Sequence, residues 1–398
     1  MRLAIVASHP VQYYAPLFRE LAQQIDLKVF YGHDASAADQ ARAGFGVGFL
    51  WDVDLRSGYD SQFLRNRARR PGTGHFSGID TPEIKDQLRS GAFDAVMLIG
   101  WHLRFLLQAL FAARLIGLPV LQRGDSQLQT PRSQLKRLGK ELTYPGFLRL
   151  FDAALFVGER NRAYWRHYRY PEHRLFHSPH CVDNAVFAAA ATARGRKDLR
   201  QELGLADDTP VALFAGKLVE FKRPLDLIEA AEAVRCSGVP LEVIVAGAGP
   251  LEPDLRAAAA ARQVPIHFLG FRNQSQMPSA YAAADVLVLP SDGRETWGLV
   301  VNEALACGRP AIVSDAVGCA PDMQHALGAR STFACGDARA LAERLLQNFA
   351  RPPSSDKVAR AAANFSLGKA AAGIISAAGA VAKLPYHNRL SPKGQAIG

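Results

Sequence analysis

The stretch SDGRETWGLVVNEALACG (Ser291–Gly308) sets two glutamates, Glu295 and Glu303, eight positions apart around the start of an apolar helical run. A helix that begins near Trp297–Gly298 leaves its first N–H groups, around Gly298, Leu299 and Val300, without partners inside the helix. Those groups and the helix dipole form an anion site, and a glycine at 298 lets an anion come close to the backbone. Helix side chains lean toward the N-terminus. Glu303 is therefore expected to reach back toward the ligand that Glu295 approaches from the loop. A carboxylate next to a diphosphate repels it, unless the acid binds hydroxyls. Two acids bracketing an anion hole thus suit a nucleotide sugar, which carries hydroxyls on both sides of its diphosphate.

The phosphates need positive charge, and FAGKLVEFKRP (Phe214–Pro224) supplies Lys217 and Lys222 just after Gly216. Ammonium groups there can neutralise a leaving diphosphate, which is electrostatic catalysis. A second glycine turn, GAGP (Gly247–Pro250), follows another apolar run and is expected to shape the pocket floor. It lacks the six-position G-x-G-x-x-G pattern, which argues against a nicotinamide cofactor.

These motifs sit where short apolar runs end. In the first half, Leu3–Ala7, Leu27–Tyr31, Phe93–Ile99, Pro119–Arg123 and Phe151–Glu159 read as buried strands alternating with helical segments such as Pro16–Gln24 and Leu103–Ile116. The second half starts the pattern again with PVALFAGKL, LEVIVAGAGP, PIHFLG, ADVLVLPS and RPAIVSD. Such alternation indicates βα units and parallel sheets, and 398 residues favour two domains. The expected division is a first domain over 1–183, a linker over 184–208 and a second domain over 209–363. A final helix over 364–383 is expected to cross back to the first domain, with a frayed tail after Leu384. Ligands of open parallel sheets bind beyond the C-terminal strand ends, so the natural site is the cleft between the two sheets.

Composition is that of a globular protein, 48% hydrophobic and 21% charged. Five cysteines show neither a CxxC pair nor zinc spacing and read as reduced thiols of a cytosolic protein. MRLAIVASHP is too short an apolar segment for a signal peptide and fits a first strand. No eighteen-residue apolar run occurs, so no spanning helix is expected. The net charge of +10 is uneven, +7 over residues 1–183 and +3 over the remainder. It marks either a solvated surface or attraction to acidic partners.

Glu295-x7-Glu303, Gly216-Lys217-Leu218-x3-Lys222, GAGP and ADVLVLPS, in this order, resemble family 4 glycosyltransferases of the GT-B fold. HCVDNAVF (His180–Phe187) looks like that family's entry into its second domain, and NFS (Asn364–Ser366) like the start of its final helix. The resemblance implies an α/β protein of two Rossmann-like domains facing a central cleft. It implies retaining transfer of a hexosyl group from a UDP- or GDP-sugar to a glycan or lipid-linked acceptor, as in cell-surface polysaccharide or glycolipid synthesis, without a required cofactor or metal. By resemblance, Glu295 contacts the donor sugar, Glu303 the ribose, and Lys217 with Lys222 the diphosphate. The family often has Arg where Lys217 stands; Lys keeps the charge but not the two-pronged grip.

The first half departs from the family's glycine-rich loop. ASHPVQYYAPLFRELA (Ala7–Ala22) has His9, Pro10 and Tyr13 instead, and resembles a subset with an HP-x-Q-Y opening found among bacterial polysaccharide-assembly enzymes. His9, Tyr13, His102 and Arg123 are candidates for the acceptor or sugar site. Asp125, in LQRGDSQ, is a candidate for bonding the donor sugar or acceptor hydroxyl and assisting deprotonation; the alternative is a helix N-cap. DVD (Asp52–Asp54) invites a metal reading but is expected to lie beside the acceptor cleft. Two basic clusters, Arg65–Arg70 and Arg132–Lys140, the latter mixed with leucines, suit an anionic membrane surface. The expected location is therefore cytoplasmic, with peripheral contact at the inner leaflet. Rival readings are a nucleotide-sugar epimerase of GT-B architecture, which lacks the paired Glu and Lys motifs, and a nucleic-acid binder, for which no binding module is present.

Overall fold

The computed structural model describes residues 1–41 and 47–382, and the tail expected to fray after Leu384 lies outside them. Two parallel sheets organise the described residues. The first contains β1 (Arg2–Ala7), β2 (Asp26–Tyr31), β3 (Asp60–Phe63), β4 (Ala95–Ile99), β5 (Val120–Arg123), β6 (Ala153–Phe156) and β7 (Leu175–His177), in the spatial order β3-β2-β1-β4-β5-β6-β7. The second contains β8 (Val211–Ala215), β9 (Glu242–Ala246), β10 (Ile266–Gly270), β11 (Val286–Leu289), β12 (Ala311–Ser314) and β13 (Thr332–Phe333), in the order β10-β9-β8-β11-β12-β13. Every pairing is parallel. Helices cover both faces, which is why β1, β8 and β11 are nearly continuous buried apolar runs. In each sheet the order reverses beside the first strand, β1 or β8, and the loops leaving the C-terminal ends there open a crevice.

The segment expected as a linker is structured. Asn184–Ala190 and Ala193–Glu202 are helices. Arg196 bonds Ala282 O, Ala283 O and Asp285, and the fully buried Arg200 bonds Ala283 O at 2.8 Å. Residues that read as small and basic are thus a helical brace built onto the second domain.

The chain returns to the first domain through the helix Leu367–Ala382, whose Ala370, Ala371, Ile374, Ala377 and Ala378 are fully buried in the core formed with β1 and the helix Tyr14–Ala22. Ser178 Oγ donates to Ala370 O at 3.0 Å. By length and mean hydropathy alone the stretch Ser355–Ala382 is apolar enough to cross a membrane. It is two helices, ending at Ala363 and resuming at Leu367. The apolar character of the second follows from a face of alanines that sits against a sheet.

Candidate functional site

The loops after β8, β9, β10 and β11 face the first domain across a cleft of about 440 Å³. Gly216, Lys217, Lys222, Gly247, Glu295, Gly298, Leu299, Val300 and Glu303 all line it, together with Tyr13 and Asp125 from the opposite wall. The glycine turns are laid backbone to backbone. Gly216 N donates to Ala246 O at 2.9 Å, Leu218 N to Ala248 O at 3.0 Å, and Gly247 N to Gly270 O at 2.8 Å.

The helix Leu299–Ala306 starts at Gly298, whose φ of 101° is left-handed. A Cβ there would also stand 2.5 Å from Leu289 Cδ2. Glycine is therefore required twice over, by conformation and by contact. Gly298, Leu299 and Val300, whose N–H groups lack partners inside the helix, line the cleft at that turn.

Lys222 and Glu295 form an ion pair, with Ser291 Oγ 3.3 Å from the same carboxylate oxygen. Each is mostly buried, so without a ligand each charge answers the other; a diphosphate entering the cleft would draw Lys222 and free Glu295 for hydroxyls. Burial, and then the charge of Lys222, lowers the pKa of Lys217. Burial also raises that of Glu303 to about 7, against the hydrogen bond that Tyr281 OH donates to it at 2.6 Å.

Asp125 enters from the loop after β5, and no helix begins there, which removes the N-cap alternative. Burial in the cleft works against its charge. His180 and a 2.7 Å hydrogen bond from Thr296 Oγ1 overcome this and hold its pKa at about 2. His180 Nε2 lies 3.6 Å away, and burial lowers its own pKa. At neutral pH a fixed carboxylate thus faces the cleft, backed by an uncharged imidazole.

Three candidates take other places. Arg123 is fully buried and donates to Ser178 Oγ, Ser178 O and Pro179 O, so it anchors the segment carrying His180 and does not reach the cleft. His9 bonds Ser8 Oγ at 2.8 Å, and burial, with His33 as a like-charged neighbour, lowers its pKa to about 4. His102 is exposed after β4 and is not a cleft-lining residue. Asp52 bonds Ser275 of the second domain, and Asp54 accepts from Arg56 N and Ser57 N. Each is committed to a protein partner. No cluster of three potential metal ligands occurs among the described residues.

The sequence reading missed His180, Thr296, Trp297, Trp51, Arg272, Gln274 and Gln127. Gln127 is fully buried and donates from Nε2 to Gly293 O at 3.0 Å and Glu295 O at 2.9 Å, so the first domain holds the loop that carries Glu295. Only the tertiary fold joins these residues. Local signals existed for some: His180 opens the HCVDNAVF segment, Thr296 and Trp297 directly follow Glu295, and Gln127 lies in the polar run after Arg123.

Residues 195–365 match the model of the family Glycosyl transferases group 1. A curated relative from Corynebacterium glutamicum, a GDP-mannose-dependent monoacylated alpha-(1-6)-phosphatidylinositol monomannoside mannosyltransferase, is 28% identical over 52% of this chain and 53% of its own. The alpha-D-kanosaminyltransferase of Streptomyces kanamyceticus is 33% identical over 33% of this chain and 34% of its own. The chain thus spans about half, or about a third, of the curated relatives it matches. Among solved structures, a glycosyltransferase from Rickettsia africae superposes with TM-score 0.72 at 12% identity, covering 96% of this chain and 99% of that one. Anabaena HepE in complex with UDP superposes with TM-score 0.71 at 15% identity, covering 96% and 100%. With two parallel-sheet domains and these whole-length superpositions, the fold is GT-B.

Proposed function

We propose that the protein is a retaining glycosyltransferase of family 4 type, moving a hexosyl group from a UDP- or GDP-sugar to a glycan or lipid-linked acceptor. The observation that carries this reading is the meeting of Lys222, Glu295 and Glu303 at one helix mouth inside an interdomain cleft. The helix mouth and the two lysines bind and neutralise the diphosphate as it leaves. Glu295 holds sugar hydroxyls, and Glu303 holds the ribose. Asp125, kept ionised on the opposite wall, accepts a hydrogen bond from the donor sugar or the incoming hydroxyl. The matches to named glycosyltransferases and to a UDP complex support the same class. No metal or cofactor has a role in this scheme, so a chelator should leave turnover unchanged.

A thermal-shift panel of nucleotide sugars, followed by linkage and anomer analysis of the product, tests the proposal. One donor should stabilise the protein, and the product should keep the donor's anomeric configuration. Lys222→Ala and Glu295→Ala should each lower kcat by at least ~10²-fold, the scale of losing one preorganised electrostatic group, with the fold intact. Near-normal turnover in either variant, or no stabilisation by any nucleotide sugar, would sink the assignment. An epimerase would instead convert the donor with no acceptor present.

The acceptor side is proposed to meet an anionic membrane. On the helix Gln134–Phe147, Leu135, Leu138 and Leu142 are 81%, 58% and 76% exposed, with Lys136, Arg137 and Lys140 beside them. An exposed apolar stripe with basic flanks suits the headgroup region of such a bilayer. The Arg65–Arg70 cluster adds to the positive field of the same domain. Vesicles containing anionic lipid should sediment the protein at low salt, and replacing the three leucines by serine should abolish this without changing the melting temperature. Recovery of all the protein in the supernatant would refute it. Steep salt-sensitive binding to oligonucleotides would favour the nucleic-acid reading instead.

A further inference from the structure

The reacting groups crowd one end of the cleft. Lys222, Glu295 and Gly298 leave β8 and β11, and Asp125 is tied to Thr296 on the same loop. The cleft then continues past β9 to the loop after β10, about 14 Å from β11 at three strand spacings. At that far end, Arg272 Nε and Gln274 Oε1 are buried atoms with no hydrogen-bond partner among the described residues, and both side chains line the cleft. Buried polar groups without partners are costly in a native protein unless something else satisfies them. A donor and an acceptor from residues two apart on one cleft-lining loop suit the edge of a nucleobase.

The first domain covers this end. A strap around residues 47–54 crosses to the second domain, where Asn273 Nδ2 donates to Leu50 O at 2.8 Å and Ser275 N lies 3.3 Å from the Asp52 carboxylate. The Phe49 ring stands 4.2 Å from that of Phe271 and 4.9 Å from that of Trp51, and the Trp51 indole lines the cleft. Arg19 Nη1 donates to Asp54 O at 3.1 Å and fixes the strap to its own domain.

We infer that both domains jointly clamp the nucleoside end of the donor: Arg272 and Gln274 meet the base edge, and Trp51 closes over its face. The inference rests on the glycosyltransferase reading and deepens it. Nucleoside recognition belongs here to the first domain as well as the second.

The experiment measures affinity for UDP and GDP, with tryptophan fluorescence, for the wild type, Trp51→Ala, Trp51→Phe and Gln274→Leu. Stacking on an aromatic ring is worth ~1–3 kcal/mol per base. Trp51→Ala should therefore weaken the preferred nucleotide ~10- to 100-fold while leaving the acceptor KM unchanged. Trp51→Phe should regain most of the affinity yet lose the nucleotide-induced quenching, a signature that a merely structural role would not move. Gln274→Leu should narrow the ratio of the two affinities. Wild-type affinity in Trp51→Ala, or undiminished quenching in Trp51→Phe, would overturn the clamp alone. A wild type that binds neither nucleotide would overturn the site reading beneath it.

Discussion

Glu303 shows how a side chain that looks ordinary in sequence becomes specific once folded. In a bare helix it is a surface residue; here it is held under the cleft against Tyr281, with Cys307 one turn on, and burial raises its pKa to about 7. A carboxyl that holds its proton more tightly when folded than when unfolded makes stability fall with rising pH. The fall begins near the unfolded value, about 4.3, and is complete above about 7. Glu303→Gln should therefore melt with the wild type near pH 4 and progressively above it up to pH 7, with a constant gap beyond. Under the proposed function, in which Glu303 holds the ribose, binding its hydroxyls favours the ionised form, so wild-type affinity for a nucleotide sugar should rise about tenfold between pH 6 and 8. The Gln variant should be weak and flat over that range. Asp125, with its pKa at about 2, does not titrate there. A wild-type pH profile matching that of the Gln variant would remove Glu303 from the site.

At the level of elements, backbone contact decides which residues are tolerated. In the helix Leu367–Ala382, a Cβ on Gly373 would lie 1.9 Å from His177 O and 3.2 Å from Ser178 Cα. Gly373→Ala should push the helix off β7 and cost on the order of 1–3 kcal/mol, as overpacking does. Gly379→Ala on the same helix meets nothing within 4 Å and should be neutral or slightly stabilising, by helix propensity. Chemical denaturation of the two variants separates the effects, and equal midpoints would refute the close approach. The same physics explains what the sequence disclosed. Strands buried on both faces announce themselves as apolar runs, and β1, β2, β4, β5 and β6 stand where such runs stand, as do β8 to β12. The strands not foreseen, β3, β7 and β13, are four residues or fewer and lie at sheet edges. There one neighbour suffices and apolar patterning fades. The cation loop and the helix mouth were readable because each is local in sequence. His180, Thr296 and Gln127 were not, because their partners are more than fifty residues away for His180 and more than a hundred and fifty for the other two. Arg123, fully buried on Ser178 and Pro179, stands apart from the cleft for a related reason: polar residues at strand ends also serve to buttress loops.

For the whole molecule, the site is complete only while the domains are held together, and several of the ties beside the cleft are polar. Gln127 grips the carbonyls of Gly293 and Glu295, Asn302 Nδ2 donates to His180 O at 2.8 Å, and Asp322 accepts from Glu159 N at 3.3 Å. Polar interfaces of this kind permit relative domain motion. Gln127 differs from the other ties in reaching the backbone of the loop that presents Glu295. Removing its amide takes the donor from Gly293 O, while Glu295 O keeps Gly318 N at 2.9 Å; the orphaned carbonyl costs ~1–3 kcal/mol, and that cost falls on the closed form alone if the opened loop meets water. Gln127→Ala should therefore shift the population toward open molecules and leave each domain's core untouched. The expected pattern is a larger radius of gyration by small-angle scattering, restored by saturating donor, with donor KM raised ~5- to 150-fold and the melting of the second domain unchanged. Under the proposed function, Glu295→Ala should lower turnover at least ~10²-fold without enlarging the molecule, because it removes the carboxylate proposed to hold the sugar and leaves the tie in place. If Gln127→Ala matched the wild type in size and in donor KM, the closed arrangement would rest on the remaining contacts, and Gln127 would have no part in aiming Glu295.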